Sequence, residues 1–221
     1  VEVFNERQVD IALELGDLID AADDVEDEIA YLHAIDAVFA KADAERHYVL
    51  GNHCVDMLTK AEFIGHCDAL APHYSFDRNG VHIVVLDACF NTDGEPHGRK
   101  HNAWTDAFIP DDQMTWLEAD LARAAKPTVV FIHHRLDATT KHSPANHAEV
   151  RAVLEASGVV AAVFSGHAHL NHHVEIGGIH YVTLHAMVDG PDVNRYSIIS
   201  VHDDGSIAVE GFGEQVDYDL T

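Results

Sequence analysis

Two histidines stand at i and i+2 in Val163-Phe164-Ser165-Gly166-His167-Ala168-His169, where an apolar run stops at a glycine. Side chains two apart on an extended backbone point the same way, so two imidazoles just past a strand end can face one point, as shared metal coordination requires. His-x-His also occurs on solvated strands, and the pair gains meaning from its company. Three other apolar runs stop in the same fashion. Residues 9–15 end at Gly16-Asp17, residues 47–50 at Gly51-Asn52-His53, and residues 128–132 at His133-His134. In open α/β sheets ligands collect at the carboxyl ends of strands. These four ends would deliver a carboxylate, an amide oxygen and several imidazoles. That set suits Zn, Mn or Fe and lacks the thiolate that selects a soft site. The carboxylate can bridge two ions about 3.5–4 Å apart, a separation that clamps the attacking and leaving oxygens of phosphoryl transfer.

The elements that must position these residues follow from periodicity. Residues 1–7 carry Val1, Val3 and Phe4 at helical spacing. Asp23-Asp24 caps a helix reaching residue 42, with Ile29, Leu32, Ile35, Val38 and Phe39 as its apolar face. A short helix follows Thr59, and Asn79-Gly80 turns a hairpin between residues 74–76 and 81–86. Residues 88–108 read as a long functional or mobile loop, in which His97 and His101, near Arg99 and Lys100, are expected to be solvated, the alternative being contact with a phosphate. Pro110 opens one helix and Ser143-Pro144 another, which runs to residue 156. Hairpins dominate after residue 170. Helices alternating with strands early and hairpins late predict an α/β fold, two packed mixed sheets flanked by helices, in a single domain over residues 1–221.

Composition narrows the partners. The chain has 38 acidic against 13 basic residues, a formal net charge of -25. That field repels phosphate backbones and anionic lipid, so neither nucleic acid nor membrane is expected as a partner. It also fits a surface adapted to high salt, where screening relieves self-repulsion. No segment is apolar for long enough to span a membrane. The three cysteines are too few for a disulfide framework and read as free thiols, with a cytoplasmic location expected.

Taken together, Gly16-Asp17-x-x-Asp20, Gly51-Asn52-His53, His133 after a β-run and Gly166-His167-Ala168-His169 resemble the calcineurin-like metallophosphoesterases, in the family's order and over nearly the whole chain. Residues 15–20 (Leu-Gly-Asp-Leu-Ile-Asp), residues 84–88 and Gln113-x-x-Trp116-Leu117 are similar to the branch containing manganese-dependent ADP-ribose/CDP-alcohol diphosphatases. The resemblance implies a four-layer αββα sandwich and assigns roles. Asp17 would bridge two divalent ions (Mn, Zn or Fe), with Asn52, His133 and His167 completing one site and His169 belonging to the other. His133 is taken over His134 because the family's histidine comes first in such pairs. His53 would act on the phosphate or leaving oxygen, and a metal-bound hydroxide would attack a small phosphorylated substrate: a monoester, diester or nucleotide pyrophosphate.

The chain departs from the family in three places. The family's Asp-x-His strand is not found ahead of Gly16-Asp17, so an N-terminally truncated fold is expected, with one ion site reduced to Asp17 and His169. An exposed sheet edge would then favour a homodimer. Cys54 stands where the family carries an acid after Gly-Asn-His, and His134-Arg135 replaces its His-x-Pro. These departures motivate an alternative, a non-catalytic metal-binding or scaffold protein on the same fold.

Overall fold

The structure is a computed structural model and describes residues 1–100, 103–124, 127–190 and 192–221. In chain order its elements are α1 (Glu2–Arg7), β1 (Ile11–Glu14), α2 (Val25–Phe39), β2 (Glu45–Tyr48), α3 (Lys60–His66), β3 (Tyr74–Arg78) and β4 (Val81–Leu86). There follow α4 (Asp111–Leu121), β5 (Thr128–Ile132), α5 (His147–Ser157), β6 (Val160–Ser165), β7 (His172–Ile176), β8 (Ile179–Thr183), β9 (Tyr196–Val201), β10 (Ile207–Phe212) and β11 (Tyr218–Leu220).

The centre is a six-stranded sheet of order β3-β4-β5-β6-β8-β7. Its inner four strands run parallel and its two edge strands antiparallel. Central strands buried on both faces read as continuous β-branched runs, as in Thr128-Val-Val-Phe-Ile132. Alternate residues then serve different layers. Val84, Leu86, Val130, Ile132 and Val163 pack under α4 and α5 with Leu117, Leu121, Val150 and Leu154. Val129, Ala162, Phe164 and Val182 face Ile207, Val209 and Leu220 of the β11-β10-β9 sheet. Tyr74 and Val85 of the same face meet Val49 and Leu13 at the parallel β1-β2 pair. The second sheet layer thus comes in two pieces, and α2 covers the outside of β2, where Phe39 meets Tyr48 edge-on. This is the expected mixed α/β arrangement of packed sheets flanked by helices.

Three local expectations need correction. α2 does not bury the whole apolar face: Leu32 is fully buried, while Ile35 and Val38 are exposed. Glu28 takes the inward position instead, because its carboxylate accepts from the Ala22 and Met57 amides. α5 starts at His147 rather than at Ser143-Pro144, since Ser143 Oγ donates to the Ala138 carbonyl and Asn146 holds both backbone groups of Ile109. In the long loop His97 is buried rather than solvated, and Arg99 pairs with Glu62 on α3; His101 lies outside the described residues.

That loop is anchored at its root. The Asp87 carboxylate, fully buried, takes Lys60 Nζ at 2.5 Å and the Cys89 amide at 2.8 Å. Gln113 on α4 clamps the Asp87 backbone from both sides, its Oε1 accepting from the amide and its Nε2 donating to the carbonyl.

One buried histidine makes stability depend on pH. His82 on β4 contacts Asp77 at 2.7 Å and Asp120 at 2.9 Å. Burial alone would lower its pKa, but the hydrogen bonds to Asp120 and Asp77 outweigh it and the net shift is upward. A raised folded pKa stabilises the protonated form, so the contribution is complete below the unfolded value of about 6.5 and disappears as pH rises through the folded one. Urea unfolding of His82→Gln against the parent should therefore show a stability gap at pH 6 that narrows steadily as pH is raised. A pH-independent gap would contradict this account.

Candidate metal centre

Four strand ends converge on one rim. β1 leads through Leu15 and Gly16 to Asp17, β2 through Val49, Leu50 and Gly51 to Asn52 and His53, β5 directly to His133, and β6 through Gly166 to His167. The approach is close enough that two glycines are required. Gly16 sits at φ 93°, and a Cβ there would fall on the His133 ring. A Cβ on Gly51 would fall on the backbone nitrogen and carboxylate of Asp17. The turns also hold three non-glycine residues in left-handed backbone: Asp17 (φ 61°), His167 (φ 62°) and His169 (φ 51°). Each such position costs on the order of 1–3 kcal/mol, strain of a kind that gathers at functional sites.

Asp17, His133 and His167 offer ligand atoms that all lie within 4.8 Å of one another. Asp17 Oδ2 is 3.0 Å from His133 Nε2, which is 3.1 Å from His167 Nδ1. The other carboxylate oxygen accepts from the His53 amide at 2.8 Å. His133 Nδ1 is 2.9 Å from the Leu15 carbonyl, which only accepts, so Nδ1 carries the proton. His133 Nε2 therefore faces a carboxylate oxygen across a gap that only a cation or a proton can bridge. A backbone carbonyl that fixes the ring in this way is the usual support of a metal-ligating histidine.

With a proton between His133 and Asp17 instead of a cation, burial still tends to raise the Asp17 pKa, but the charge His133 then carries and its hydrogen bond pull it down to about 2. Burial, followed by repulsion from His133, drives His167 down to about 2, leaving it neutral as a ligand must be. Asn52 is 2% exposed, and neither amide heteroatom of its side chain has a hydrogen-bond partner. A buried orphaned amide costs about 1–3 kcal/mol, so a ligand role accounts for it. The donor set therefore fits a divalent cation held by Asp17, Asn52, His133 and His167.

The remaining candidates line the same cavity of about 380 Å³, which is bounded by Asp17, Asn52, His53, His167 and His169. His169 stands apart from the Asp17–His133–His167 group, with Nδ1 3.1 Å from Asp189, whose other oxygen is 3.2 Å from His185. His134 is buried beside His167, ring centroids 4.5 Å apart, and burial lowers its pKa. His53 opens a short 3-10 turn, His53–Val55, that leaves the ring half-exposed. Its Nδ1 lies 2.7 Å from Asp56 and 3.2 Å from Asp20. The Asp56 hydrogen bond is the largest influence on His53, and its pKa is pushed up to about 9. Cys54, in the place of the family's acid, is buried, and Asp56 holds the His53 ring instead.

Sequence reasoning missed three residues here. Asp56 was readable as the i+3 neighbour of His53 on one turn. Trp104 and His142 also line the cavity, but they come from separate loops without periodicity.

A calcineurin-like phosphoesterase family model matches residues 1–171. Among curated proteins, purple acid phosphatase 22 of Arabidopsis thaliana is 32% identical over 104 residues, 44% of this chain and 20% of that protein. The chain thus spans about a fifth of the length of that relative. A dimetal phosphatase from Danio rerio has the same fold, with a TM-score of 0.84 at 18% identity over 100% of this chain and 86% of its own. A protein from Thermus thermophilus superposes with a TM-score of 0.62 at 14% identity, over 89% and 84% of the two chains.

Proposed function

The chain belongs to the calcineurin-like phosphoesterase family, and on that premise we propose that it hydrolyses a phosphate ester with the help of a divalent cation held by Asp17, Asn52, His133 and His167. The observation that carries the reading is the Asp17–His133–His167 group, closed by the orphaned amide of Asn52. Bound there, a divalent cation supplies Lewis-acid stabilisation of phosphoryl charge and lowers the pKa of water toward ~7.

The chain's own groups do the rest. Asp56 and Asp20 hold His53 Nδ1, which leaves Nε2 free at the cavity to donate a proton to the departing ester oxygen. The raised pKa keeps that proton in place at neutral pH. The His53 amide fixes Asp17 so that one oxygen stays aimed at the cluster. The substrate is a small phosphate monoester, diester or nucleotide pyrophosphate, and the likeness to the ADP-ribose/CDP-alcohol diphosphatases adds weight to the last. No helix among the described residues is long and apolar enough to cross a membrane.

The test is hydrolysis of p-nitrophenyl phosphate and bis-p-nitrophenyl phosphate by the folded protein after chelation and after readdition of Mn or Zn. Chelation should abolish turnover, and either metal should restore it. A folded, metal-loaded chain that turns over neither ester, nor any of a panel of nucleotide pyrophosphates, would overturn the proposal.

A further inference from the structure

The cavity carries a feature that holding a phosphate does not explain. Trp104, one of two tryptophans in the chain, stands at its rim 36% exposed. Leaving an indole in water is unfavourable, and its exposed surface opens beside a candidate metal ligand. The ring meets His167 edge-on with centroids 5.7 Å apart and lies against His142 at 5.4 Å and 32°. Lys141 Nζ lies 4.9 Å from its centroid. Three contacts from two other segments hold the ring before any ligand arrives, so little ordering remains to be done on binding. The lysine also matters. A net charge of -25 repels phosphate at long range, and Lys141 sets a local positive charge against that field beside the Trp104 ring.

We propose that Trp104, with Lys141 behind it, is the binding site for an aromatic substituent carried on the phosphate, so that the substrate is an aryl or nucleoside phosphate rather than an alkyl one. This rests on the phosphoesterase reading and narrows its substrate class. The phosphate sits over the strand-end cluster, and the planar ring it carries stacks on the indole. Stacking of this kind tolerates many rings, because every aromatic has a π-face. A saturated ring of the same size fills the space without matching that face.

The experiment uses Trp116→Phe protein loaded with Zn, in which Trp104 is the sole indole, titrated with phenylphosphonate and cyclohexylphosphonate. Neither compound can be hydrolysed. Phenylphosphonate should bind on the order of ten-fold tighter and perturb Trp104 emission. By calorimetry, Trp104→Leu should bind the two alike, and Trp104→Phe should keep part of the preference. The non-hydrolysable 5′-methylenephosphonate analogue of adenosine 5′-monophosphate distinguishes the two sources of the ring: tighter binding than phenylphosphonate marks a nucleobase, equal or weaker binding a simple aryl group. Equal affinity for the two phosphonates in the parent, or a preference unchanged in Trp104→Leu, overturns the subsite while leaving the hydrolase intact. Failure of the metal-loaded chain to bind either phosphonate also overturns the subsite, and the hydrolase reading is then decided by the turnover assay above.

Discussion

Asp17→Asn should fold normally, lose most of its bound metal and hydrolyse phosphate esters roughly 10³–10⁴-fold more slowly. The fold survives because asparagine has the same shape and tolerates the left-handed backbone that Asp17 occupies. Its amide oxygen still accepts from the His53 amide, and its NH₂ donates to the Nε2 lone pair of His133, which the carboxylate faces at 3.0 Å. What disappears is the only negative charge in a group otherwise made of imidazoles. The kinetic magnitude follows from the several kcal/mol of charge stabilisation that a bound cation contributes, at about 1.4 kcal/mol per decade. Elemental analysis reads the first consequence without reference to rate. A variant that retains the parent's metal content and turnover would remove Asp17 from the centre.

The second large effect belongs to His53. His53→Gln removes the proton donor while leaving every candidate metal ligand in place, so metal content should not change and kcat should fall. Positioned proton transfer contributes about 10²–10⁴-fold, and the need for it grows as the leaving group becomes more basic. The loss should accordingly be severe for alkyl esters and small for p-nitrophenyl phosphate, whose leaving group departs without help. Asp56→Asn should reproduce the same dependence on leaving group in weaker form, since it acts by holding Nδ1 at 2.7 Å. Equal losses across leaving groups would reassign His53 to binding rather than proton transfer.

The parts of this site that could be read from the sequence are those in which a local pattern carries the information. A β-run followed by Gly-Asp, Gly-Asn-His or Gly-His-x-His specifies a strand end and what it presents, and β5 begins and ends at the residues its apolar run indicates. The Asn79-Gly80 turn adopts positive φ at both residues, as its composition requires. Where sequence reasoning went astray, a contact distant in the chain had overruled the local signal. Ser143-Pro144 resembles a helix start, but the Ser143 hydroxyl is committed to Ala138 and Asn146 bridges to Ile109, 37 residues away. Glu28 displaced apolar neighbours from the inward face of α2 because the Ala22 and Met57 amides needed an acceptor. β11, three residues long, is defined by its pairing with β10 and has no period of its own. Trp104, Lys141 and His142 meet across two irregular segments, and nothing in their spacing announces it.

The left-handed turns at Asp17, His167 and His169 set durability against chemistry. Glycine at any of these positions would relax the chain, and asparagine would do so almost as well, while at Asp17 and His167 each such change deletes a candidate metal ligand. Lineages or libraries screened for heat tolerance alone would therefore discard the candidate ligands Asp17 and His167 first and converge on robust relatives without the proposed activity. Improvement of this protein as a catalyst has to score turnover in every round, because the easiest gains in hardiness lie at the residues it can least spare.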